Sequence, residues 1–144
     1  MTLDEIFALW EADSDIDRTE IAEELRKLPK LHGKYYRHYV DERLRLRKLE
    51  SEAKRLRLAK TVFYSDGPTD DTRAAGWNYP PKGLILKNEV PLYLDADPDV
   101  IAMSLRVDVQ KEKVDLLDSI IRQLRDRGFN LKTMFEFIRF TNGG

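Results

Sequence analysis

Residues 31–63 read LHGKYYRHYVDERLRLRKLESEAKRLRLAKTVF, with no proline and a single glycine, Gly33. On a helical wheel Tyr35, Tyr39, Leu46, Leu49, Ala53, Leu56 and Phe63 share one apolar stripe. Positions 46, 49, 53, 56, 60 and 63 alternate spacings of three and four, the pattern of a coiled-coil seam. Arg43, Arg47, Lys54 and Arg57 fall on a neighbouring strip about 80° wide at about 100° per residue. The stretch predicts one long helix with an apolar edge and a cationic edge, and a mostly α fold built around it.

Upstream, Thr2-Leu3-Asp4-Glu5 has the T-x-x-E form of a capping box, followed by Ile6, Phe7 and Trp10 at helical spacing. A short helix over 3–11 is expected, broken by Ala12 to Ser14. Asp17 and Glu20 repeat the capping signal, with Ile16 and Ile21 in the staple positions. The helix they start is expected to pass Leu25 and Leu28 until Pro29 interrupts or kinks it.

Downstream, residues 65–83 are rich in turn formers and aperiodic, which reads as an irregular loop. Leu84-Ile85-Leu86 and Val90 to Leu94 read as a short β-hairpin around residues 87–89, with Pro91 keeping the second strand at an edge. Asp97-Pro98 is a helix start, a cap followed by proline at the first helical position. The next helix keeps a heptad through Met103, Val107, Gln110, Val114, Leu117, Ile121 and Leu124. Gly128 is the expected C-cap, and Asn130 the cap of a last helix from Leu131 to Phe140. The organisation expected is N-terminal helices over 1–64, a loop with short strands over 65–96, and C-terminal helices over 97–144.

The 144 residues carry 25 basic and 26 acidic side chains, a near balance that hides a segregation. The net charge is −8 over residues 1–25, +9 over 26–60, −4 over 61–99 and +2 over 100–144. With no cysteine, disulfides, thiol chemistry and thiolate metal sites are excluded. No apolar run approaches the roughly 20 residues of a membrane span. The acidic start, Met1 to Glu5, is unlike a secretion signal, so a soluble cytoplasmic protein is expected.

Enzyme chemistry has little to work with. There is no phosphate-cradling glycine loop and no G-x-S-x-G or H-E-x-x-H signature. His32 and His38 lie six apart without ligand partners at i+3 or i+4. Asp95 to Asp99 resembles a calcium loop only superficially, because Val100 stands at the glycine position and Arg106 at the bidentate acid. No catalytic residue, cofactor or metal is expected.

The basic segment is the richer signal. Its excess of +9 is too large for an ordinary mixed helix flank. Tyr35, Tyr36 and Tyr39 lie upstream on the same helix, where bases can stack, and Lys60 occupies a seam position that should be apolar. Snorkelling near a helix end is the bland account of Lys60; a seam opening onto a polyanion is the sharper one. These residues favour nucleic-acid binding over a solvated flank. The apolar C-terminal helix, with Met134, Phe135, Phe137, Ile138 and Phe140, favours self-association. Leu117, Ile121, Leu124, Met134, Phe135 and Ile138 are the interface candidates.

Several blocks resemble one family in order and spacing. They are Ile16-Asp17-Arg18-Thr19-Glu20-Ile21, Leu58-Ala59-Lys60, Phe63-Tyr64-Ser65-Asp66-Gly67, Asp95 to Val100 and Arg127-Gly128-Phe129. Together they resemble the UvsY family of tailed-phage recombination mediators, over nearly the whole chain. The resemblance implies a non-enzymatic, ring-like homo-oligomer of six or seven subunits that binds single-stranded DNA. It implies help in loading a RecA-like recombinase of the UvsX type onto strands coated by single-strand-binding protein. The setting implied is recombination, repair and recombination-dependent replication in the cytoplasm of an infected bacterium. The family's DNA-binding motif has a lysine and an arginine two residues apart before paired tyrosines. Here the second aligns with Lys60, the first with Leu58, and the tyrosines with Phe63-Tyr64. Leu58 is a departure, with Arg57 the nearest cation. The DNA-binding candidates are thus Lys60, Arg57, Lys54, Arg47, Arg43, Tyr64, Tyr39 and Tyr35. Two rival readings are a helical scaffold or assembly chaperone docking an acidic protein on the basic strip, and a helix-turn-helix duplex reader over Asp17 to Leu44. The second lacks well-placed base-reading side chains.

Overall fold

The computed structural model describes residues 1–143. The order is α1 (Leu3–Ser14), α2 (Ile21–Asp66), α3 (Asp70–Ala74), α4 (Val90–Ala96) and α5 (Pro98–Thr141). Among the described residues there is no strand. Two compact units form: Met1–Arg45 with the chain from Gln110 onward, and Leu46–Val109. Both long helices contribute to both units.

In the first unit α1 begins as its sequence requires. The Thr2 hydroxyl accepts from the Glu5 N–H at 3.1 Å, and the Glu5 carboxylate accepts from the Thr2 N–H at 2.9 Å. The helix passes the expected stop and continues to Ser14. Its last carbonyls are satisfied from α5: the Arg127 guanidinium donates to the carbonyls of Asp13 and Ser14 at 3.1 and 3.0 Å. The core is Ile6, Tyr35, Leu117, Ile120, Ile121 and Leu124, with Trp10, Leu28, Leu31 and Tyr39 packed against it.

Pro29 lies inside α2 and does not end it. A proline there forfeits one backbone hydrogen bond and costs about 3 kcal/mol. Leu28, Leu31 and Tyr35, packed into the core on both sides of it, supply the compensating burial. Asp17 accepts from the N–H and hydroxyl of Thr19 at 2.9 and 2.6 Å, forming a turn ahead of α2 rather than capping it.

Gly128 likewise does not end a helix. It lies within α5, and its φ is not positive, unlike those of Gly67, Gly76 and Gly83. A Cβ there would meet Leu28 Cδ1 at 3.5 Å. Asn130 is an exposed interior residue of α5 instead of a cap. Gln110, the polar heptad position, is buried and donates to the backbone carbonyl and carboxylate of Glu42 at 2.8 and 2.6 Å.

The second unit has an aromatic core. Phe63, Tyr64, Ile85, Val90 and Leu94 are buried, with Trp77, Tyr79 and Tyr93 against them. The segment 65–83 is more ordered in pattern than its composition suggests. Thr69 and Thr72 cap α3 reciprocally, and Trp77 and Tyr79 meet Phe63 edge-on at 5.4 and 5.6 Å. The expected hairpin is a helix preceded by a turn. Ile85 is buried between exposed Leu84 and Leu86, which satisfies a strand-like alternation without a partner strand. Pro91 sits in the first turn of α4, where its missing N–H costs nothing. Asp97 starts α5 as expected: its Oδ1 accepts from the N–H groups of Asp99 and Val100 at 2.8 and 3.1 Å.

Candidate nucleic-acid interface

The candidates divide by burial. On the part of α2 in the second unit, Arg47, Lys54 and Arg57 are exposed. Arg57 approaches Asp95 only to 3.9 Å, with both side chains largely in solvent, so the pairing leaves the guanidinium available. Leu58 is 66% exposed on the same helix.

Lys60 and Tyr64 are not on this surface. The Lys60 ammonium lies 2.8 Å from Asp99 Oδ2, 3.1 Å from Asp97 Oδ2 and 4.0 Å from the centre of the Trp77 ring. Only 2% of the residue is exposed. The charge of this lysine, on the apolar seam of α2, is met by the carboxylates of Asp97 and Asp99 and the face of Trp77. Tyr64 is buried and donates its hydroxyl to Asp97 Oδ2 at 2.5 Å. Burial first, then the neighbouring Asp97, pushes the Tyr64 phenol well above the ordinary tyrosine range. Burial alone would raise Asp97, but hydrogen bonds from Tyr64, the Val100 N–H and Lys60 outweigh it and hold its carboxyl below the usual range.

In the first unit, Tyr35 is fully buried and donates its hydroxyl to Asp13 Oδ2 at 2.7 Å. It offers no face to a base. Tyr39 is half-buried, and the Arg43 guanidinium stands 5.0 Å from its ring centre. Arg43 is half-buried too, with Nε buried and without a hydrogen-bond partner.

Sequence reasoning passed over Lys48 and Arg55, which are exposed and make no ion pair or hydrogen bond with another side chain among the described residues. The signal was available: Arg47-Lys48 and Lys54-Arg55 are basic pairs seven apart, one heptad along the helix.

Of the self-association candidates, Leu117, Ile121 and Leu124 belong to the first unit's own core and are corrected to that role. A heptad seam cannot by itself say whether its partner helix is in the same chain. Met134 is half-buried, and Phe135 and Ile138 are exposed at 49% and 37%. Phe137 and Phe140 are exposed further, at 66% and 82%. Among the described residues no group of three histidines, cysteines or acids could hold a metal, and no helix is long and apolar enough to cross a membrane.

The fold defines the class: an all-helical protein, among its described residues, organised on two helices of 46 and 44 residues. It has the fold of the recombination mediator protein UvsY of bacteriophage T4. One T4 crystal structure (lattice type II) superposes with a TM-score of 0.84 at 20% identity, covering 100% of this chain and 99% of that one. A second (lattice type IV) gives 0.79 at 19% identity, covering 98% and 99%. No curated protein sequence matches. Residues 9–144 match the family described as "Recombination, repair and ssDNA binding protein UvsY". The chain belongs to the UvsY family, a family of recombination mediators.

Proposed function

We propose that this protein is a non-enzymatic recombination mediator that binds single-stranded DNA without sequence preference along the exposed cations of α2. The observation that carries the reading is the concentration of solvent-facing, weakly paired or unpaired cations on that helix, Arg47, Lys54 and Arg57 among them. Cations that meet phosphates read no bases, so the binding is backbone-led and indifferent to sequence. Stacking on Tyr35 or Tyr64 plays no part, because both rings are internal.

The partners are a RecA-like recombinase of the UvsX type and the single-strand-binding protein it must replace. The setting is phage recombination, repair and replication in the host cytoplasm. The exposed phenyl groups near the end of α5 support a homo-oligomer; a ring of six or seven copies is what the family resemblance implies. A chain with so large an apolar end is better covered than bare. Repetition of the cationic helix around the ring turns several weak phosphate contacts into one strong site.

The test is recombinase ATPase on single strands precoated with single-strand-binding protein. Added protein should shorten the lag before steady hydrolysis, and a substituted Arg47/Lys54/Arg57→Ala chain should lose most of that effect. An unchanged lag with the unsubstituted chain refutes the mediator reading.

A further inference from the structure

Each long helix carries a second stripe in the second unit, outside the core, and the two stripes are complementary. On α2, Arg55, Leu58 and Val62 are exposed at spacings of three and four. On α5, Ile101, Leu105 and Asp108 are exposed at spacings of four and three. At about 100° per residue each set falls within about 60° of its helix's circumference. Leu58, Val62, Ile101 and Leu105 are between 45% and 66% exposed, and Val109, at 49%, widens the apolar part of the α5 stripe. Arg55 and Asp108 are exposed, and neither has an ion pair among the described residues.

The two stripes cannot meet within one chain. Lys60 of α2 and Asp99 of α5 face each other at 2.8 Å. Val62 and Ile101 each follow one of those residues by two positions, which places them about 160° round their own helices. The stripes therefore look out on opposite sides of the unit. Run antiparallel, they match position by position: Val62 meets Ile101, Leu58 meets Leu105 and Arg55 meets Asp108, with both spacings in step. Run parallel, with Leu58 against Asp108, Arg55 falls on Leu105, so a charge is set on an apolar side chain at both places. Arg47, Lys54 and Arg57 lie to one side of the α2 stripe and stay outside the match.

We propose that the α5 stripe of one copy docks antiparallel on the α2 stripe of the next. The occupant is a second copy because the complement of each stripe, apolar to apolar and base to acid, is carried by the same chain. Two different surfaces on opposite sides make the contact heterologous, so copies join front to back and close into a ring when the rotation allows. This rests on the homo-oligomer proposed above and adds to it an interface separate from the phenyl groups at the end of α5.

The chain has no cysteine, so engineered thiols report contacts in the full-length protein without background. Leu58→Cys and Leu105→Cys are made singly and together, treated with bismaleimidoethane, and resolved on denaturing gels beside light scattering of the untreated samples. The paired variant should give a ladder of covalent dimers and higher multimers, and each single variant none. Adding Arg55→Glu to the paired variant should cut the crosslinked fraction several-fold, and adding Asp108→Arg as well should restore it. Single variants that crosslink and stop at dimers overturn the front-to-back assignment, because like stripes would then be meeting. An Arg55→Glu chain that crosslinks undiminished overturns the register. No crosslink in a sample of multi-subunit mass overturns this interface and leaves the homo-oligomer standing, whereas a monomer mass for the unsubstituted chain overturns both.

Discussion

Replacing Asp97 by alanine tests the cluster that organises the second unit. Its Oδ1 caps α5 by accepting two backbone N–H bonds, and its Oδ2 receives the Tyr64 hydroxyl and the Lys60 ammonium. Loss of a capping side chain costs about 1 kcal/mol. A buried hydroxyl left without its acceptor costs about 1–3 kcal/mol. Breaking a buried ion pair by removing one partner costs about 3–5 kcal/mol. The last figure is to be roughly halved, because Asp99 stays 2.8 Å from Lys60. These losses share one site and do not add fully, so Asp97→Ala should cost about 3–5 kcal/mol. Asparagine keeps one oxygen, which can still cap α5, but its NH2 then faces the Tyr64 hydroxyl and the Lys60 ammonium where Oδ2 accepted, so Asp97→Asn should also cost about 3 kcal/mol. Urea unfolding followed by circular dichroism and tryptophan fluorescence measures both. Adding Lys60→Met to Asp97→Asn should cost little more, because the uncompensated charge goes with it. A stability for Asp97→Ala within about 0.5 kcal/mol of the unsubstituted chain would refute the account of this cluster.

Gly128→Ala should stabilise the first unit by about 0.5–1 kcal/mol, since a helix-interior glycine gains from a Cβ and the space is in ordinary contact range. A lower melting temperature would show instead that Leu28 leaves no room for the added methyl group. Stability should also vary with pH at both extremes. Asp97 and Asp13 are held below the ordinary 3.8, so the unfolded chain binds protons first and stability falls as pH drops through that region. The Tyr64 and Tyr35 phenols are raised above the ordinary 10.0, so the folded chain keeps protons the unfolded chain loses, and stability falls as pH rises past that value. Denaturant midpoints should therefore be lower below pH 4 and above pH 10 than between them, and midpoints flat across both limits would contradict the bonding described. Finally, Phe135→Ala with Ile138→Ala removes exposed apolar surface and should leave the fold intact while shifting light-scattering mass to smaller species; an unaltered oligomeric mass would remove this helix end from the interface.

The long helix was legible because residues 31–63 combine a sustained three-four spacing with an absence of breakers. The capping boxes at Thr2 and the start at Asp97-Pro98 were legible for the same local reason. What was misread depends on tertiary packing. Pro29 and Gly128 are local stop signals overridden by burial on both sides of them. The alternation at Leu84 to Leu86 arises from a single anchor, Ile85, and not from a sheet. At the candidate site, helical spacing placed Arg47 and Lys54 on an open face. It could not show that Lys60, six residues beyond Lys54, turns toward acids 37 and 39 residues later in the chain. Nor could it show that Tyr35 and Tyr64 spend their hydroxyls on Asp13 and Asp97. A charge's partner is a property of the folded chain.

The most direct test of the central claim is fluorescence anisotropy of a labelled, unstructured single strand titrated with the protein at low and moderate salt, beside a duplex of equal length. The account predicts tight binding that prefers the single strand and weakens steeply with salt, by a log–log slope of about 0.7 for each phosphate contacted. No binding at low salt by a correctly folded oligomer would contradict it, and would make the cations of α2 a docking face for an acidic protein.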